Sequence, residues 1–209
     1  MLERILGRAP SIQIENHALD IHPRTGKLSL GYYDIRKKWM PVYYRPVSEY
    51  VDHTAMPRDI CESIVQNGQQ LIDVGAGLAE LTPKVAVKKG KKPIIIDPLN
   101  YDYIHQLLSR ARRKNLSKEN ILLVDQLLER VSVYLDPSLV RHIPLTLQDA
   151  RVRYFNELQG VGDVVVDVAG AIMYSGSIES NRPVYDLEKS WLVKTSPQGI
   201  LYTDRVWLT

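Results

Sequence analysis

"LIDVGAGLAE", residues 71–80, sets an apolar run, a carboxylate at Asp73 and two glycines, Gly75 and Gly77, side by side. An apolar run that breaks at glycine reads as a buried strand ending in a tight turn, where the missing Cβ lets a ligand approach backbone. Upstream, "PRDICESIVQNG" carries Ile60, Ile64 and Val65 at helical spacing and stops at Gly68. Downstream, strands are expected at 93–97, 141–147, 162–168 and 199–204, following the first at 70–74. Helices near 79–89, 101–115, 119–135, 150–158 and 184–194 alternate with them. "PIIID" and "DVVVDV" are apolar on both faces, as strands are when helices cover both sides of a parallel sheet. The expected fold class is α/β, a doubly wound, mainly parallel sheet. Right-handed crossovers give it the strand order 3-2-1-4-5.

The chain has 209 residues, 44% of them hydrophobic, enough to bury a core. Residues 59–209 form the expected sheet domain and residues 1–58 an N-terminal appendage. Within 11–58, alternation in "SIQIEN" and "KLSLGYY" around the turn-like "HPRTGK" reads as one or two hairpins. The apolar runs are strand-sized, far below the roughly 20 residues of a membrane span. Charges interrupt the apolar stretch of "MLERILGRAP", which does not read as a secretory signal, so a cytoplasmic location is expected. Cys61 is the single cysteine, which excludes an intrachain disulfide and a cysteine-rich zinc site. No metal site is expected.

Net charge is +3 with a pI near 8.9, and the cations cluster in "KVAVKKGKK" and "RARRK". Such clusters attract phosphate backbones but also suit solvated helix ends. Both are expected at the amino-terminal edge of the sheet, whereas ligands of such sheets sit at the carboxyl edge. Nucleic acid is therefore a weaker candidate partner than a small molecule.

Position 80 decides among ligands. A dinucleotide fingerprint would place a glycine or alanine there, and the chain has Glu80, a charge that opposes a pyrophosphate. The small residue falls at Ala79, giving acid-x-Gly-x-Gly-x-Ala. That pattern resembles the first motif of class I S-adenosylmethionine-dependent methyltransferases. Acids at the ends of later strands strengthen the resemblance, which covers about residues 59–209: Asp97, 24 residues after Asp73, then Asp149 in "LQDAR" and Asp167 in "VVVDVAGA". The family's sheet is Rossmann-like and normally has a sixth and an antiparallel seventh strand. This sequence reaches "GILYTDRVWLT" just after the fifth, so the sheet reads as shortened there.

The resemblance implies S-adenosyl-L-methionine as cofactor, with Asp73, Gly75, Ala76 and Gly77 around its methionine end and Asp97 on the ribose hydroxyls. Pro98 and Leu99 would lie under the adenine, Asp149 and Ala150 at its amino group, and Asp167 beside the methyl group. Each acid also has a plainer role as a helix cap or loop anchor. Methyl transfer chiefly needs alignment and exclusion of water. Where the acceptor needs a base, Asp167 is the first candidate, and His53, His17 and Tyr174 are others. Tyrosines of "KKWMPVYYRPVSEY" would for the most part pack the appendage onto the core; the alternative is a lid over the sulfonium, with Arg45 pairing with the cofactor carboxylate.

Three functions stay open: a methyltransferase acting on a small molecule, a methyltransferase-like binding or scaffold protein without activity, and a nucleotide-dependent oxidoreductase, which Glu80 opposes.

Overall fold

The computed structural model describes residues 12–14, 16–22, 24–33, 37–42, 44, 58–88, 92–167 and 182–203. The chain divides into two compact units, Met1–Val42 with Asn100–Leu135, and Tyr43–Leu99 with Asp136–Thr209. No described helix is long and apolar enough to cross a membrane.

The first unit holds an antiparallel sheet in the order β1 (Ile12–Ile14), β2 (His17–Ile21), β3 (Leu28–Tyr33), β4 (Trp39–Pro41). The hairpin expected around "HPRTGK" is β2–β3, in register Leu19 opposite Leu30. Its turn is held by His22, whose backbone amide donates to the Lys27 carbonyl at 2.9 Å. Among its described residues this unit also holds two helices, α3 (Tyr101–Arg112) and α4 (Lys118–Leu135). They pack through Ile104, Leu107, Leu108 and Ala111 on one side and Val124, Leu127, Val131 and Tyr134 on the other, all buried. Tyr101 stacks on Tyr134 with ring centroids 4.7 Å apart. The buried amide of Asn120 ties α4 to the hairpin, accepting from Leu28 N at 3.2 Å and donating to the Gly26 carbonyl at 2.8 Å. This grouping of α3 and α4 with the N-terminal strands is a long-range arrangement that a linear boundary near residue 58 does not express.

The second unit is a five-stranded, wholly parallel sheet in the order β7 (Arg141–Ile143), β6 (Ile94–Ile96), β5 (Leu71–Val74), β8 (Val164–Asp167), β9 (Leu201–Thr203). Numbered within the sheet, that is the expected order 3-2-1-4-5. Every residue of β5, β6 and β8 is buried, because helices lie on both faces. On one face Leu71, Val164 and Val166 pack on Cys61 and Ile64 of α1 (Arg58–Asn67) and on Leu81 and Val85 of α2 (Leu81–Ala86). On the other, Ile72, Val74, Ile94, Ile96 and Val165 pack on Leu147 and Ala150 of α5 (Leu147–Arg153) and on Trp191 and Leu192 of α6 (Arg182–Thr195). The arrangement is α/β and compatible with a Rossmann-like fold. Each buried aliphatic side chain contributes about 1.5–3 kcal/mol, shared between the strands and the helices that cover them.

Candidate functional site

The turn after β5 is built as its glycines suggested. Gly75 and Gly77 have φ of +64° and +56°, a region that side chains with a Cβ rarely adopt. The Gly75 amide donates to the Ile96 carbonyl at 2.9 Å, extending the β5–β6 pairing past the strand, while Ala76 and Ala79 are buried.

Asp73 and Asp97 belong to this turn. Asp73, 1% exposed, accepts a hydrogen bond from the Thr82 hydroxyl of α2 at 2.6 Å. The pleat explains the pairing: Asp73 alternates with Ile72, which faces α5 and α6, and so points toward α2. Asp97 follows β6 and accepts two backbone donors, Gly77 N at 2.8 Å and Leu99 N at 2.9 Å. Its carboxylate thereby ties the glycine turn to the end of the neighbouring strand. The His142 ring of β7 lies with Nε2 2.8 Å from the Asp97 carbonyl oxygen, and since a carbonyl only accepts, Nε2 carries the proton.

Burial governs the electrostatics. Loss of hydration pushes the Asp73 carboxyl up from 3.8 to about 7, with the Thr82 hydrogen bond opposing and the charge of Asp97 adding to the rise. Asp97 is pushed up to about 6 by the same burial, against the pull of its two backbone donors. Burial also lowers the His142 imidazole, opposed by its contact with Asp97. Neutral pH therefore falls where this pair of acids exchanges protons.

The remaining candidates stand elsewhere. Pro98 is exposed and Leu99 buried beside Asp97. Asp149 lies exposed in the first turn of α5, where its amide donates to the N-cap Thr146 hydroxyl at 3.2 Å and its carboxylate accepts from that hydroxyl at 2.8 Å. Ala150 is wholly buried in the core. Asp167 is buried at the end of β8, opposite Val74, and the pleat turns it to the face of α5 and α6, away from Asp73. His17 is buried in the other unit between Tyr32 and Tyr103. His53, Tyr174 and Arg45 lie outside the described residues. Glu80 pairs with Lys84 at 3.0 Å. Lys92 stands exposed before β6, at the amino-terminal edge as expected.

Local sequence pattern does not single out Thr82, His142 or the pair formed by half-buried Arg151 and buried Glu188, whose Nε and Oε1 are 3.0 Å apart. A hydroxyl nine residues after Asp73 carries no local signal of the bond it makes. His142, in a three-residue strand, becomes informative only once β7 lies against β6. Among the described residues no group of three or more His, Cys, Asp or Glu is placed to hold a metal ion. Scans of protein-family models, curated proteins and solved structures find no match to this chain.

Proposed function

We propose that the parallel-sheet unit binds S-adenosylmethionine and transfers its methyl group to a small-molecule acceptor. The observation that carries this reading is Asp97: each of its carboxylate oxygens is fixed by one backbone donor, from Gly77 and from Leu99, and retains acceptor capacity for a vicinal diol. Asp97 binds the ribose hydroxyls, Asp73 the cofactor's ammonium directly or through water, and the left-handed turn at Gly75 and Gly77 gives the cofactor backbone to lie on. Pro98, Leu99 and Asp149 supply the adenine end, Ala150 being enclosed in the core. The bound cofactor contributes an activated sulfonium methyl. With the cofactor supplying that methyl, Asp167 would take the acceptor's proton.

The test is calorimetric titration of S-adenosylhomocysteine into the full chain. Binding is expected, weakened about ten- to a hundredfold by Asp97→Asn, which keeps the side chain's size and one acceptor but loses a charged hydrogen-bond partner. Folded wild type, free of copurified ligand, that binds no S-adenosyl compound overturns the reading; binding untouched by Asp97→Asn misplaces the site. Turnover of labelled cofactor in the presence of a small-molecule extract separates an enzyme from a binding protein of the same shape.

A further inference from the structure

Within the antiparallel unit, α3 and α4 border a cleft of about 600 Å³ lined by His105, Ser109, Arg112, Arg113 and Leu128. That volume suits a small organic ligand and far exceeds a bare phosphate ion. His105, Ser109 and Arg113 follow at intervals of four and share one line along α3. Arg112 is anchored by its Nε to Asp125 Oδ1 at 2.7 Å. An exposed ion pair of this kind adds little stability, and because it engages Nε it leaves both terminal amino groups as donors. Asp125 is charge-matched by this contact, and Arg113 then gives the cleft a net positive charge. Among the described lining residues none is a carboxylate. The negative end of the α3 dipole accounts for Arg110 and Arg112 in the last turn. It does not account for His105 and Ser109, one to two turns earlier and aligned with Arg113.

We propose that this cleft binds a phosphomonoester of a small organic molecule. The guanidinium groups of Arg112 and Arg113 and the Ser109 hydroxyl hold the phosphate, and the ligand's flat body lies against the His105 ring and the Leu128 side chain. The site belongs to a different unit from the methyl-transfer reading and does not rest on it.

Ligand-observed magnetic resonance titration of the full chain with phenyl phosphate, inorganic phosphate and phenol tests the proposal. Phenyl phosphate is expected to bind more tightly than inorganic phosphate, and phenol not at all. Arg113→Gln should weaken phenyl phosphate about tenfold or more, the loss of a charged hydrogen-bond partner. Arg110→Gln, the same charge change on the same helix outside the lining, should alter it less than about twofold, since no contact is lost and only a screened charge is removed. Ser109→Ala should weaken it as well, without a change in charge. Excess S-adenosylhomocysteine should not displace it. Absence of phenyl phosphate binding, equal weakening by Arg110→Gln and Arg113→Gln, indifference to Ser109→Ala, or displacement by S-adenosylhomocysteine would each overturn the proposal.

Discussion

Two of the acids that the parallel-sheet unit buries, Asp73 and Asp97, are held by hydrogen-bond donors, whereas the antiparallel unit buries His17 between Tyr32 and Tyr103 with no hydrogen-bond partner for either ring nitrogen among the described residues. The difference teaches which protonation state each region was built around. An acid surrounded by donors can hold a charge that burial opposes; an imidazole packed between rings is stable only while neutral. Opposite responses to pH follow. The folded acids bind protons more tightly than the unfolded chain, so their stabilisation is present below the ordinary value of 3.8 and is lost as pH rises through about 6 and about 7. Glu188, raised by burial, acts in the same sense, and His142 opposes it. His17 is lowered from 6.5 by burial, so its contribution is present above that value and is lost as pH falls below it.

The largest expected effect comes from Asp97→Ala. Asp97 is 3% exposed and its removal strands two backbone donors. Unsatisfied buried groups cost roughly 1–3 kcal/mol each, so denaturant unfolding should show a loss on the order of 3 kcal/mol. A change under about 0.5 kcal/mol, the range of ordinary surface substitutions, would mean that water replaces the carboxylate easily.

Next is Gly31→Ala in the antiparallel unit. A Cβ there would sit 2.6 Å from the Met40 carbonyl oxygen, across the β3–β4 pairing. Overpacking of this kind costs about 1–3 kcal/mol. Faster amide exchange in residues 28–33, with residues 71–74 unchanged, is the expected pattern; equal loss in both segments breaks the contrast between the regions.

Smallest in size, though diagnostic in sign, is the pH response itself. Amide exchange in residues 71–74 should lose protection between pH 5 and pH 8 relative to that in residues 17–21, after correction for intrinsic rates. Asp73→Asn should flatten the first slope and His17→Phe the second. Parallel slopes in both segments, or slopes untouched by these substitutions, would remove the comparison.

The fold was largely legible because its signals are local. Apolar β-branched triplets such as Ile94–Ile96 and Val164–Val166 suit a strand buried on both sides, and Gly68, Gly75 and Gly77 mark where the chain turns. Helix ends moved by a few residues, and the strand expected over 141–147 stops at Ile143, with α5 already starting at Leu147. Thr146, the N-cap, explains that early start: its hydroxyl accepts from the Asp149 amide, a first-turn donor with no partner inside the helix.

By itself the sequence determined the alternation of strands and helices and the turn at Gly75 and Gly77, because periodicity and backbone freedom are properties of neighbouring residues. Tertiary structure alone decided which acids share a neighbourhood. Thr82 reaches Asp73 only because α2 packs on that face, and Gly77 reaches Asp97 only because β6 lies beside β5. It also assigned α3 and α4 to the N-terminal strands, through the Asn120 bonds to a turn more than ninety residues earlier. Partners so distant along the chain leave no trace in local pattern; burial and unpaired hydrogen-bonding groups select them when the chain closes on itself.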